Sequence, residues 1–95
     1  MPYELMYVVR PNVDETSLTA VTEKVDRMIT AGGGEILKRE DWGKRRLAFP
    51  VTKFTEGYYS VLQFNLPTAG VRDLERALKL AEEVLRFLVT RVESA

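Results

Sequence analysis

The chain has 95 residues, 45% of them hydrophobic and 29% charged, and its 14 basic and 14 acidic side chains leave no net charge. A chain of this length builds one modest core, so we expect a single globular domain over residues 1–95. It contains no Cys and no His, which excludes disulfides, thiolate chemistry, most zinc sites and the usual imidazole general base. No apolar run reaches about 18 residues and the N-terminus lacks a leader pattern, so we expect a cytoplasmic protein with no membrane partner.

The first third of the chain predicts a strand followed by a helix. The odd positions of residues 3–10 form one apolar face, which indicates a half-buried strand. Asp14 is suited to cap a helix because its carboxylate accepts the free amide protons of the first turn. Apolar side chains then recur at helical spacing: Leu18, Val21, Val25, Met28 and Ile29. The triple glycine at 32–34 follows this helix, so we interpret it as a helix stop and not as a phosphate-binding loop.

The rest of the chain predicts two strands, a second helix and a last strand. Residues 35–51 form one long strand bent at Gly43, and residues 58–66 form a third strand that pairs with it after a loop. Pro67 and Thr68 open the second helix, with Thr68 as its cap. The inner face of that helix contains Val71, Leu74, Leu78 and Ala81. A branched and aromatic run from Val84 indicates the fourth strand.

This order of elements is that of the α+β, ferredoxin-like βαββαβ fold. Right-handed crossovers place two helices on one face of a four-stranded antiparallel sheet and leave the other face open. We therefore expect the open face and the sheet edges to meet partners.

Positive charge is concentrated in one segment of this neutral chain. Residues 36–59 contain six cations and three anions, whereas residues 1–35 contain three cations and six anions. The basic segment also contains several aromatic residues, which suit stacking on unpaired bases. The competing interpretation is a solvated edge strand whose cations prevent aggregation.

Three consecutive cations lie at the centre of this segment, in DWGKRRLAFPV. Strand alternation places Lys44 and Arg46 on one face, while Arg45 shares the other with Leu47 and Phe49. Lys44 and Arg46 are therefore the better phosphate candidates. Arg45 either extends past the edge of the core or reaches a partner protein.

The sequence predicts no catalytic residue. Glu82–Glu83 and Glu40–Asp41 are adjacent carboxylates in polar segments, without the burial that raises a carboxyl pKa for acid–base work. The loop 10–12 lies where acylphosphatases of this fold bind phosphate, but their glycine-rich motif is missing, so we interpret it as a structural turn.

The segment from Asp41 to Tyr59, DWGKRRLAFPV followed by GYY, closely resembles the signature of the bacterial sixth small-subunit ribosomal protein family. YE at residues 3–4, PNVD at 11–14 and DLERALKL at 73–80 also match the family pattern. The resemblance implies a βαββαβ protein of the small ribosomal subunit that binds the central domain of 16S ribosomal RNA. It implies that binding occurs as a heterodimer with the eighteenth small-subunit ribosomal protein. It implies no catalysis and no cofactor, and we also expect no metal and no small-molecule substrate.

Given this resemblance, we expect five cations to approach RNA phosphates: Lys44, Arg46, Lys53, Arg86 and Arg91. Three further residues are expected to serve either the RNA or the partner protein: Trp42, Arg45 and Tyr58. The alternative from another class is a ferredoxin-like small-molecule regulatory or dimerising domain that uses the open sheet face.

Overall fold

The predicted βαββαβ order is confirmed in the structure, a computed structural model that describes residues 2–51 and 53–92, without the side chains of residues 49–51. The elements are β1 (Pro2–Val9), α1 (Glu15–Ala31), β2 (Glu35–Val51), β3 (Phe54–Asn65), α2 (Thr68–Leu80) and β4 (Val84–Arg91). The four strands form an antiparallel sheet in the order β2-β3-β1-β4. β1 is thus a central strand with a neighbour on each side.

The core lies between the sheet and the helices, because one face of β1 is apolar at every odd position. Tyr3, Leu5, Tyr7 and Val9 are all buried, and they share one cluster with residues of both helices and β3. The other buried members of the cluster are Val21, Val25, Ile29, Leu62, Phe64, Leu66, Val71, Leu74 and Leu78. Removal of this apolar surface from water stabilises the fold and holds both helices on the same face.

The two helices begin differently. The backbone amide of Ser17 donates to the Asp14 carboxylate over 2.7 Å, as predicted, and this bond lowers the pKa of Asp14. The predicted Thr68 cap is wrong, because Pro67 occupies the N-cap position and Thr68 is the first helical residue. The Thr68 hydroxyl lies instead 3.5 Å from the Tyr3 hydroxyl.

Within residues 2–51 and 53–92, no helix is long and apolar enough to span a bilayer.

β3 begins at Phe54, four residues before its predicted start. Val9, the last residue of β1, pairs with Tyr58, and beyond that point β2 and β3 continue to pair with each other only. We call residues 45–57 the hairpin arm. A Cβ atom at Gly57 would lie 2.5 Å from Val8 Cγ1 and 2.9 Å from the Val9 carbonyl oxygen, so only glycine allows β3 to pass this close to β1.

A substitution at Leu62 measures how much the core contributes to the stability of the fold. It is fully buried on β3, so Leu62→Ala should lower the free energy of unfolding by about 2–5 kcal/mol through lost burial and a residual cavity. Its neighbour Gln63 is exposed on the opposite face, and Gln63→Ala should change stability by about 0.5 kcal/mol or less. Urea unfolding should show the difference as a shift in midpoint at constant slope. Equal midpoints for the two variants would contradict the assigned faces of β3.

Candidate functional site

β2 contains a bulge at Trp42. Asp41 pairs with Ser60 and Gly43 pairs with Tyr59, so Trp42 is an extra residue on the β2 side. Gly43 has a φ of +76°, a conformation that glycine adopts without the steric cost of a side chain. The predicted irregularity at Gly43 is therefore confirmed, and it changes which face each following residue occupies.

Trp42 lies on the face of the sheet that the helices leave free. Its ring stacks on Tyr59 with centroids 6.3 Å apart and an interplanar angle of 13°. Its indole N–H donates to Glu40 over 3.2 Å, and the side chain stays 46% exposed. A partly exposed indole held by a ring stack and a hydrogen bond is preorganised to meet a partner.

Apolar residues of the other three strands lie on the same surface as Trp42, which we call the open face. The pairing registers place Met6 of β1 between Val61 of β3 and Leu88 of β4, and Leu88 is 55% exposed. Polar residues surround this centre: Glu4, Lys38, Glu40, Gln63, Arg86 and Thr90. An apolar centre within a polar rim is typical of a protein interface.

The three consecutive cations divide between the two faces, as alternation predicts. Lys44 pairs with Tyr58 and Arg46 with Glu56, while Arg45 pairs with Gly57 between them. The Lys44 ammonium lies 5.4 Å from the centroid of the Tyr58 ring, a cation–π contact on the helix side of the sheet. Arg45 extends from the opposite side, and its Nε donates to the Trp42 carbonyl over 3.0 Å. Phe49 was predicted to share the face of Arg45, but its side chain is not among those that the structure describes.

The other predicted phosphate contacts do not lie together. Lys53 is exposed in the turn of the hairpin arm with a φ of +72°, on the same projection as Arg46. Arg86 pairs with Val8 on the open face. Arg91 pairs with Tyr3 and interacts with it at the far end of β1. Lys44, Arg46 and Lys53 therefore lie on the same β2–β3 hairpin, and we call this group of three cations the basic hairpin. They are separated from Arg91 by about 20 Å of strand at ~3.3 Å per residue.

A polar network under α1 was not predicted. Arg39 of β2 donates to the Tyr7 hydroxyl over 3.3 Å, to Asp41 over 3.4 Å and to Asp26 of α1. Burial acts to lower the pKa of Arg39, but its bond to Tyr7 and the charges of Asp26 and Asp41 outweigh burial and raise it. The buried Ser60 hydroxyl donates to Asp41 over 2.8 Å. Strand alternation was the sequence signal for this network, because Arg39 and Asp41 alternate with Lys38 and Glu40 and so share one face of the strand.

The apolar members of the open face were also missed as functional residues. Met6 occupies an even position of β1, where a strand with one solvated face would have a polar residue, and Leu88 occupies the paired position of β4. This departure from alternation was the available signal for a covered second face.

An open, apolar-centred sheet face beside a basic hairpin defines a class of small ferredoxin-like proteins that present a binding face. The family model described as Ribosomal protein S6 matches residues 2–91. The small ribosomal subunit protein bS6 of Moorella thermoacetica is 42% identical over 91 residues, which cover 96% of this chain and 93% of that protein. The bS6 of Heliobacterium modesticaldum is also 42% identical, with 94% of this chain and 93% of that protein covered.

A solved structure agrees with these matches. The crystal structure of 30S ribosomal protein S6 from Thermotoga maritima superposes with a TM-score of 0.91 at 32% sequence identity, covering 96% of this chain and 86% of that chain. The chain belongs to the ribosomal protein S6 family. It is therefore a small-subunit ribosomal protein, of a structural family and not a family of enzymes, and its place is in the cytoplasmic ribosome.

The ionisation of Glu40 makes the contacts of Trp42 on the open face sensitive to pH. The hydrogen bond from the Trp42 indole, followed by the bond and charge of Lys38 at 3.2 Å, lowers the pKa of Glu40. A lowered folded-state pKa gives stability that is present at neutral pH and is lost as the pH falls through that value. The fluorescence of Trp42 should therefore change at a midpoint below the usual glutamate range.

Glu40→Gln should remove this fluorescence transition, because an amide does not titrate there. The matched control is Glu75→Gln on α2, which should keep it. A transition that persists unchanged in Glu40→Gln would contradict the assignment to the Trp42–Glu40 bond.

Proposed function

We propose that the chain acts as a single domain, residues 1–95, that binds the central domain of 16S ribosomal RNA together with the eighteenth small-subunit ribosomal protein. The partner protein docks on the open face and the RNA on the basic hairpin. The observation that carries this proposal is the division of β2 at the Trp42 bulge, which directs an aromatic residue to one side of the sheet and two cations to the other. Membership of the S6 family supports association with the ribosome and its RNA.

The open face suits a protein better than RNA. Its centre contains Met6, Trp42 and Leu88, and aromatic residues and Met are enriched at protein interfaces. Its rim contains both signs of charge, including the Lys38–Glu40 pair at 3.2 Å. Carboxylates at the edge of a phosphate-binding surface would repel the RNA backbone, whereas a mixed rim gives a protein partner orientation and specificity.

The basic hairpin suits RNA. Lys44, Arg46 and Lys53 are exposed, and Lys44 is held over the Tyr58 ring, which reduces the side-chain entropy lost when it meets a phosphate. A chain with no net charge attracts RNA weakly at long range, and so it depends on a few fixed contacts and on the shape of a folded RNA. A partner that binds the same RNA would supply the remaining affinity through the linked, two-site arrangement.

Removing the hairpin cations tests the RNA surface. Binding of the heterodimer to central-domain RNA should weaken in Lys44→Ala plus Arg46→Ala, and the logarithmic salt slope should fall by about 0.7–0.9 for each lost phosphate contact. The control is Arg72→Ala plus Lys79→Ala, which removes the same charge from exposed positions of α2. Filter binding across a salt series measures both quantities. If both double variants lower the slope equally, the effect is one of net charge and the hairpin is not the RNA site.

A charge placed on the open face tests the protein surface. Leu88→Arg introduces a cation into the apolar centre and should weaken binding of the eighteenth small-subunit protein by about tenfold or more, or about 1.4 kcal/mol. The control is Leu80→Arg, at an exposed leucine of α2, which should leave binding unchanged. Titration calorimetry with the purified partner measures the affinity.

The same variants address the alternative of a dimerising domain. Should the isolated wild-type chain sediment as a dimer that Leu88→Arg dissociates, while the partner protein binds both forms equally, the open face would be a self-association surface. Equal partner affinity of Leu88→Arg and Leu80→Arg would exclude the open face as the partner site.

A further inference from the structure

The hydrogen-bonded side chains beneath the Trp42 bulge, Arg39, Asp41 and Ser60, belong to neither of the two proposed binding surfaces. We propose that Asp41, held from the helix side by Ser60 and Arg39, is a positioning residue that sets the orientation of Trp42 on the open face. The effect on partner affinity rests on the proposed function, whereas the orientation of Trp42 is a property of the isolated chain.

Asp41 is anchored by bonds that converge on one oxygen atom. Its Oδ1 accepts from the Ser60 hydroxyl over 2.8 Å and from Arg39 Nη1 over 3.4 Å. Ser60 is only 6% exposed, so its hydroxyl would lack a partner if Asp41 moved away, at a cost in desolvation. A carboxylate acceptor also makes these bonds stronger than neutral ones.

Arg39 extends this anchor to the rest of the molecule. Its guanidinium also bonds to Tyr7 on the central strand and to Asp26 on α1, so β1, β2, β3 and α1 all contribute to the position of Asp41. An edge strand is otherwise held along one side only. The network therefore fixes β2 at the Trp42 bulge, one of the points where its regular pairing with β3 is interrupted.

Because Trp42 directly follows Asp41 in the bulge, fixing Asp41 also fixes the direction of the Trp42 side chain. Asp41 and Trp42 are one peptide apart, about 3.8 Å between Cα atoms, yet their side chains lie on opposite faces of the sheet. On the other side of Trp42 the backbone turns at Gly43, with a φ of +76°, and Arg45 bonds to the Trp42 carbonyl. Trp42 lacks a regular pairing partner on β3, so Asp41 and the turn at Gly43 set the direction in which its side chain leaves the backbone, and the Tyr59 stack and the Glu40 bond then hold the ring.

The isolated protein tests this directly, because Trp42 is the one tryptophan of the chain. Asp41→Ala and Ser60→Ala should shift its emission to the red and raise its acrylamide quenching constant as the ring leaves Tyr59. Asp41→Asn keeps an oxygen for Ser60 and should restore the wild-type emission in large part. The control is Val71→Ala, which removes apolar packing in α2; it should lower stability and leave the Trp42 spectrum unchanged.

The binding measurement then asks whether the orientation matters. Misplacing an aromatic anchor at the centre of an interface should weaken partner binding by about tenfold in Asp41→Ala and Ser60→Ala. Val71→Ala should bind the partner with the affinity of the wild type. The positioning role is overturned if Asp41→Ala and Ser60→Ala keep the wild-type spectrum, or if Val71→Ala shifts it equally. A wild-type chain that fails to bind the partner would defeat the proposed function alone, since the spectra of the isolated variants still decide the orientation of Trp42.

Discussion

At Trp42 the edge strand β2 has one residue more than β3, and that bulge decides which β2 side chains lie on the open face and which lie on the helix side. Before it, Arg39 and Asp41 face α1; after it, Lys44 lies on the helix side over Tyr58. Without the extra residue, every side chain beyond Asp41 would change face, because the side-chain period of a strand is two residues. The bulge thus allows an indole on the open face and two cations, Lys44 and Arg46, on the helix side to come from one short motif.

The bulge keeps its geometry because it is held from two directions. Below the sheet, a buried hydroxyl and a guanidinium bond to Asp41, and above it Trp42 stacks on Tyr59 and bonds to Glu40. These are polar interactions of modest individual strength, and they act together where ladder pairing alone leaves a gap. The apolar core supplies most of the stability of the fold, while this group of contacts gives one surface its shape.

A ribosomal protein with no net charge needs such a division of surfaces. Bulk attraction to RNA requires an excess of cations, and here the excess in residues 36–59 is matched by acidic residues of α1 and its flanks. The positive residues of the hairpin arm lie beyond the end of β1. Local placement of a few cations can thus replace overall charge, particularly where a second protein shares the task of binding.

Local patterns in the sequence were enough to determine the order of elements. The odd-position apolar face of β1, the Asp14 cap and the helical spacing from Val21 to Ile29 are all short-range signals, and each is confirmed. The Thr68 cap failed because Pro67 takes the N-cap position, and the start of β3 was placed late because the pairing that extends the hairpin arm lies across strands.

The face and the neighbours of each site residue depended on the tertiary structure. The separation of Arg91 from Lys44 follows from the register of β1 with β3 and β4, and the approach of Arg39 to Tyr7 and Asp26 requires α1 to pack on the sheet. These contacts join residues far apart in the chain, so no pattern within a segment contains them. The sequence by itself determined the fold, the basic segment and the family resemblance. Only the folded sheet, with its register and its bulge, decided which side each of those residues occupies, because facing direction in a strand depends on pairing with another strand.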